Sequence, residues 1–585
     1  MQSTTAPEPA RSPESRSAFS WDLVRQDLEG LPAGGLNIGH EAAARHARGR
    51  AAGRAALRHL AEDGSRSELT YAALAERAAR FASTLRDLGA APGEPVLALL
   101  GRSPALHAAA LGALQAGCVF AVLSPAYGPE PARARVARAR PRILVTTPAL
   151  FARRVAPGLG GLPSLEQVLL AGAGAGAGVP GGAGEARGRA RLHDLEALLA
   201  GASADLVTAP TSAGDLALLH FTSGTTGAPK AALHAHASVL AYLHTARAAL
   251  DLRPDDIYWC TADPGWVTAT VYGLLAPFVV GCTSVVDGRE LDPVRWYETV
   301  QAERVSVCYT SPTALRLLRR AGDDLPRAYD LSSLRLLASV GEPLDAGLVA
   351  WTRDVLGVPA RDTWWQTETG SIVIASPPGA LPVPGWMGQP VAGAETRVVR
   401  RREGGIDVLE EPAATGELAL RRDWPSLFRG YLDDPERTEA CFAGDWYLTG
   451  DLVERDEAGR FRFVGRADDM IKSAGHLIGP AEVEQALLEH PAVWEVGVVG
   501  RPDPVAGERV TAVVSLARGR SPDAATRRDL LAHGRARLGA VLAPKEVEFM
   551  DALPKTPSGK ILRRALRDPA AATAKPDVAG GEAGS

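Results

Sequence analysis

The sequence predicts an α/β fold: a large layered N-terminal region with parallel strands, then a compact α+β C-terminal domain of about a hundred residues. Three observations carry this expectation. Short apolar runs alternate with amphipathic helical stretches through most of the chain, the pattern of strand–helix layers. Near FRFVGRADDMI (461–471) that order changes to strand, turn, helix and strand. The 585 residues, 46% hydrophobic and 23% charged, have an ordinary globular balance but are too many for one simple core.

The elements follow in order. Residues 1–18 carry Ser, Pro and Glu and are expected to be disordered, without the basic start and apolar stretch of a signal peptide. TYAALAERAARFASTLRDLG (70–89) brings Tyr71, Leu74, Ala78, Phe81, Leu85 and Leu88 onto one helical face. PVLALL (95–100), RILVTT (142–147) and SVCYT (306–310) read as strands. The Gly- and Ala-rich stretch 171–189 reads as a surface loop, because such sequence cannot bury a core. From Pro264 to Val286 no residue is charged, which raises the question of a membrane span. Its Gly265, Thr268, Thr270, Gly273, Pro277 and Gly281 suit a buried helix, turn and strand instead. GPAEVEQALLEHP (479–491) reads as a helix, VWEVGVVG (493–500) as a strand and the tail 569–585 as disordered. The domains are therefore expected at 19–465 and 466–568.

A net charge of −4 gives no electrostatic case for nucleic acid or an anionic membrane. Cys118, Cys260, Cys282, Cys308 and Cys441 lie far apart with no CxxC pair. That argues against a zinc site or a disulfide framework and suits a reducing, cytoplasmic setting. Of 64 basic residues only six are lysine: Lys230, Lys472, Lys545, Lys555, Lys560 and Lys575. Where arginine supplies bulk charge, a retained lysine points to a compact ammonium on a flexible stem; compositional accident is the bland alternative, favoured for Lys545 and Lys575.

LLHFTSGTTGAPKAALHAH (218–236) is an apolar strand, a turn of small residues, then a lysine. Gly224 and Gly227 let backbone amides approach a phosphate unobstructed. Thr222, Ser223, Thr225 and Thr226 add hydroxyls, and Lys230 adds positive charge. A plain Gly/Thr hairpin turn is the bland alternative, and the spacing is not GxxxxGK[ST]. This loop resembles the phosphate-binding signature of the adenylate-forming superfamily of acyl-CoA synthetases, adenylation domains and luciferases.

Other motifs of that family follow in order, and the resemblance covers about Leu36 to Arg567. In SVGEPL (339–344), Gly341, Glu342 and Pro343 resemble the adenine-contacting tripeptide. In DTWWQTETG (362–370), Thr367 and Glu368 are implied at the ATP phosphates, with Glu368 on Mg²⁺, an ion that seeks hard oxygen ligands. Asp451 of YLTGD and Arg466 of GRADD are implied at the ribose, and Asp468 at the hinge. Lys560 of LPKTPSGKILRR is implied at the α-phosphate and substrate carboxylate, where an ammonium offsets charge as two anions meet. The likeness is greatest to the AMP-forming acetate–CoA ligases, through CFAGDWYLTGD, VGRADDMIKSAGHLIGP and HPAVWEVGVVGRPDPVAGE. It implies a small β-barrel in the large domain and a mobile C-terminal lid.

By the same resemblance Trp365 stands where relatives taking longer acids have glycine, so an indole fills the acyl channel. Val267, Thr268 and Val340 are implied as the other walls. A core tryptophan is the bland alternative. Departures from the family pattern are Ala269 and Val271 in GWVTATVYG, Ser371 after TETG, and Trp386 in PGWMGQP. Bulk there is expected to narrow the pocket or alter CoA access. The implied substrates are ATP, CoA and acetate or a similar short acid, with propionate hard to separate because a methylene is worth only about 1–3 kcal/mol. The implied cycle forms acyl-AMP, then rotates the lid about Asp468 and presents the Gly475 segment to CoA. Arg133 and Arg135, in an arginine-rich region, are candidates for the CoA 3′-phosphate. A lysine acyltransferase or deacylase acting on Lys560 is an implied partner, since acylation removes the charge. The rivals are a propionate or other short- to medium-chain ligase, a phosphotransferase releasing ADP or phosphate, and a non-catalytic adenylate or CoA sensor.

Overall fold

In the computed structural model the described residues are 19–172, 186–187, 190–205, 207–222, 229–474, 476–504, 506–555 and 561–567. Residues 1–18 and 569–585, and most of the expected loop 171–189, fall outside them. Within that stretch Ala186–Arg187 pairs with Ala190–Asp194 as a short antiparallel ribbon.

Two nine-stranded sheets make up most of the chain. In the first, Leu216–Thr222, Val119–Leu123, Pro95–Leu99, Ile143–Thr146, Gln167–Leu170 and Ala190–Asp194 run parallel. Val119–Leu123 and Ile143–Thr146 are buried at every position, as strands covered on both faces must be. Beyond Leu216–Thr222 the sheet turns antiparallel, through Lys230–Ala235 to the two-residue strand Gly430–Tyr431. In the second sheet Ala55–Leu60, Thr283–Asp287, Ile257–Cys260, Val307–Thr310, Leu336–Ser339 and Arg361–Trp364 are parallel neighbours.

The helix expected over 70–89 runs Tyr71–Asp87. The Thr70 hydroxyl caps it by accepting from the Ala73 amide, and Tyr71, Leu74, Ala78, Phe81 and Leu85 are buried. It packs on Pro104–Gln115 where Gly112 faces it. A Cβ there would meet the Ala78 carbonyl oxygen at 2.4 Å, so only glycine permits this approach. The uncharged stretch Pro264–Val286 resolves into the π-helical Ala269–Leu275, the helix Ala276–Val280, a left-handed turn at Gly281 and the strand Thr283–Asp287. No helix among the described residues is long and apolar enough to cross a membrane.

The third sheet is antiparallel and six-stranded. Its order is Gly405–Val408, Thr396–Arg402, Ala414–Arg421 and Trp446–Arg455, and both Phe442–Ala443 and Phe461–Arg466 pair with the last of these. The fourth sheet begins at Ile471–Ser473 and is dominated by the antiparallel pair Val493–Asp503 and Gly507–Leu516. Helices Pro480–Leu488 and Ala524–Leu542 cover it, enclosing a separate apolar core around Val483, Leu487, Val498, Val514 and Leu530. All five cysteines are free, four buried and Cys441 half-buried.

Candidate active site

Several of the described motif residues lie at or just beyond the C-terminal ends of parallel strands, where open α/β sheets bind ligands. The chain leaves Leu216–Thr222 into 223–228, leaves Leu336–Ser339 into Val340–Pro343, and leaves Arg361–Trp364 into the turn at Gln366–Gly370. The third sheet meets these ends through Trp446–Arg455 and Phe461–Arg466.

Asp451 is the most heavily engaged carboxylate of the site. One oxygen accepts from Trp364 Nε1 at 2.9 Å and Gln366 Nε2 at 3.0 Å, and the other from Arg466 Nη1 at 2.8 Å. Burial pushes its pKa upward, while Arg466 and the Trp364 and Gln366 donors pull the other way. Arg466 also lies 3.6 Å from Asp468. Burial alone would lower the arginine, but Asp451 and then Asp468 outweigh it and hold its pKa above the ordinary value. The buried acid and the expected hinge thus share one guanidinium. Asp469, next along, pairs with Arg563 and Arg567, tying the helix Arg563–Arg567 to the strand connection.

Glu368 faces the strand Gly430–Tyr431. Its Oε1 accepts from the Tyr431 hydroxyl at 2.6 Å, and its second oxygen has no partner among the described residues. Burial, then Glu368, drives the Tyr431 phenol far above its usual range, so it stays a donor. The Lys230 ammonium sits 5.2 Å from the centre of the Tyr431 ring and has no acidic partner among the described residues. One tyrosine therefore bridges the anionic and cationic motif residues. The turn beneath is strapped down: Phe428 N donates to Glu368 O at 2.8 Å, Ser426 Oγ to Thr369 O at 2.7 Å, and Trp424 Nε1 to Thr369 O at 3.1 Å. Half-buried Thr367 is presented on this turn.

The expected acyl walls share one apolar cluster. Trp365 and Val340 are each 9% exposed, and Val267 packs against the same cluster with half-buried Thr268 beside it. The Trp365 ring lies edge-on to Tyr272, and its Nε1 donates to the Tyr309 hydroxyl at 3.0 Å. Three of the four departures find their space here. Ala269 and Val271 are buried within the π-helical turn, and the Ser371 hydroxyl bonds Ser426 Oγ at 2.7 Å. The fourth, Trp386, has the Arg460 and Arg462 guanidiniums 5.4 and 5.7 Å from its ring centre. Its bulk is taken up against the third sheet.

Gly341 has φ +96°, a left-handed conformation that glycine allows. Glu342 beside it is held by Thr313 Oγ1 at 2.7 Å and Arg316 Nη1 at 2.9 Å, with half-buried Pro343 following. Arg135 stacks 4.2 Å over the Tyr127 ring and bonds Pro131 O, while Arg133 pairs with Glu130. Ser223, Gly224, Thr225, Thr226, Gly227, Gly475 and Lys560 lie outside the described residues, and Thr222 and Lys230 pair as the flanking strand positions. Residues that sequence reasoning passed over are Tyr431, Gln366, Trp364, Tyr447 and Tyr309. The Tyr447 hydroxyl donates to Gln366 Oε1 at 2.9 Å, orienting the amide that holds Asp451. For Trp364 and Gln366, which flank Trp365, and for Tyr447, which opens YLTGD, the sequence signal was a place in or beside motifs already singled out.

This arrangement combines a buried acceptor carboxylate, a tyrosine that links Lys230 to Glu368, and an apolar cluster around Trp365. That set suits a nucleotide with a small carboxylic acid. Residues 43–432 match the model of the AMP-binding enzyme family and residues 482–560 that of the AMP-binding enzyme C-terminal domain. The chain is 38% identical over 557 residues to an acetyl-coenzyme A synthetase of Bacillus subtilis strain 168, covering 95% of this chain and 94% of that protein. It is similar to the crystal structure of a Brucella canis acyl-CoA synthetase, with 33% identity, TM-score 0.72, and 96% and 99% of the two chains covered. An anthranilate CoA ligase solved with anthranoyl-AMP aligns with 27% identity and TM-score 0.81 over 93% and 99% of the chains. A family match across most of the chain, upheld by a relative that covers 95% of it, makes this protein a member of the AMP-binding enzyme family of adenylate-forming ligases.

Proposed function

We propose that the chain activates acetate with ATP to acetyl-adenylate and passes the acetyl group to CoA, releasing pyrophosphate and AMP. What supports acetate is the agreement between relatives named acetyl-coenzyme A synthetase and the bulk of the buried Trp365 indole at the expected acyl wall. In the first step a carboxylate oxygen attacks the α-phosphorus and the bond to pyrophosphate breaks. Two anions approach each other, so fixed positive charge lowers the barrier. Lys230 with the 223–228 loop would hold the departing phosphates, and Lys560 would steady the α-phosphate and the carboxylate. Thr367 would add a hydroxyl donor. Asp451 would accept from the ribose hydroxyls, with Arg466 beside it, and Gly341–Pro343 would line the adenine.

Glu368 suits Mg²⁺, because a carboxylate with one oxygen bound by Tyr431 and one left over can offer a single hard ligand. Among the described residues no group of three or more His, Cys, Asp or Glu could cage an ion, so its other ligands would come from phosphates and water. Bound there, the ion would neutralise phosphate charge. In the second step the thiolate sulfur of CoA attacks the acyl carbon and AMP leaves with the bridging oxygen. The lid, 466–568, would turn on Asp468 against the body, 19–465, and bring Gly475 to the CoA arm, with Arg135 a candidate contact. We place the protein in the cytoplasm and treat Lys560 as a target for a lysine acyltransferase and deacylase. The test is acetate-dependent exchange of labelled pyrophosphate into ATP without CoA, followed by AMP formation once CoA is added. Release of ADP or orthophosphate instead would contradict the reading.

A further inference from the structure

We infer that Tyr309 and Thr363 set the acid-length limit by fixing the indole of Trp365; this rests on the reading of Trp365 as the acyl wall. The indole Nε1–H donates to the Tyr309 hydroxyl at 3.0 Å. That hydroxyl donates to Thr363 Oγ1 at 2.7 Å, which donates to the Ser339 carbonyl at 2.8 Å. Each of the two hydroxyls has its donor spent and an acceptor site filled, between an indole that can only donate and a carbonyl that can only accept, so the chain has a single direction. It ends on the residue preceding Val340, itself an expected wall. Tyr309 is fully buried and Thr363 is 4% exposed, which leaves water little room to replace a lost partner.

Rings hold the same geometry from the side. Tyr272 stands edge-on to Trp365 at 5.3 Å and to Tyr309 at 5.5 Å between centroids. Its own hydroxyl is locked between Thr245 Oγ1 at 2.7 Å and the Ile372 amide at 2.9 Å. An apolar wall alone does not define one rotamer. A buried N–H does, because any turn of the indole away from Tyr309 leaves it unsatisfied. Tyr309 and Thr363 touch no substrate in this account; they are positioning residues. The strand Arg361–Trp364 that carries Thr363 also directs Trp364 to Asp451, so one short segment orients both the acid recess and the nucleotide side.

The test compares kcat/KM for butanoate and acetate in Tyr309→Phe, Thr363→Val and Thr363→Ser, with Trp365→Gly as reference. Phe keeps the ring and removes the acceptor; Val removes the hydroxyl that receives from Tyr309, and Ser restores it. The expected result is a butanoate-to-acetate ratio raised roughly tenfold in Tyr309→Phe and Thr363→Val, the worth of one to two buried methylenes, and near wild type in Thr363→Ser. An unchanged ratio in both, with Trp365→Gly shifted, overturns this proposal and leaves the wall standing, even if activity or melting temperature falls. An unshifted ratio in Trp365→Gly overturns the wall and the proposal with it. Tyr309 and Thr363 are separate routes to the same readout, so failure of one variant to fold leaves the other decisive.

Discussion

Replacing Trp365 with glycine probes the recess most sharply. The indole is 9% exposed and lies in the main apolar cluster with Val340. Emptying such a position costs about 3–5 kcal/mol of stability, from lost transfer energy and the cavity left behind. The Tyr309 hydroxyl loses its donor as well. An acid with three more methylenes than acetate can refill part of that volume. At about 0.8 kcal/mol per buried methylene the gain is about 2.4 kcal/mol. That is roughly fiftyfold in relative kcat/KM. The assay is pyrophosphate release across unbranched acids from two to six carbons, with melting temperature in parallel. A pentanoate-to-acetate ratio that rises by one to two orders of magnitude is expected. If the variant melts lower while all acids lose activity equally, Trp365 is a core residue and the recess lies elsewhere.

The other predictions concern charge. Lys560→Ala is expected to abolish adenylate formation from acid and ATP while sparing thioester formation from supplied acyl-AMP; equal loss of both half-reactions refutes its role. Tyr431→Phe removes the 2.6 Å donor to Glu368 but keeps the ring beneath Lys230, so the apparent KM for Mg²⁺ should change several-fold with little effect on the KM for acetate. An unaltered Mg²⁺ titration would separate Tyr431 from the metal. Burial pushes the Asp362 carboxyl up to about 7 against the Leu344 and Thr363 amides. The folded state then holds this proton more tightly than the unfolded chain, whose value is about 3.9, so ionisation erodes stability as pH climbs from about 4 to about 7. Asp362→Asn cannot ionise, and its melting temperature should drop less than wild type between pH 5 and pH 8. Parallel profiles would show that Asp362 stays charged throughout.

What could be read in advance was what repeats or stays local. The helix Tyr71–Asp87 shows its buried face through periodicity, and the uncharged stretch before Val286 gives itself away by its glycines and Pro277. The site motifs were legible because each is a few contiguous residues. Pairings made only by folding were not. Tyr431 reaches Glu368 across 63 residues from a strand of two, too short to signal itself. Trp364 reaches Asp451 across 87. The adjacent tryptophans go to different partners, Trp364 to Asp451 and Trp365 to Tyr309. The neighbours of Trp386, Arg460 and Arg462, are likewise set only by folding. Sequence carries no register between strands so far apart.

The central claim is that the acid's own oxygen becomes bonded to the α-phosphorus of ATP. It is tested most directly with acetate labelled with ¹⁸O in both carboxylate positions, incubated with the protein, ATP, Mg²⁺ and CoA, and mass analysis of the nucleotide. AMP should carry one ¹⁸O atom, left behind when sulfur takes the acyl carbon. Unlabelled AMP, or label found in orthophosphate beside ADP, would contradict it.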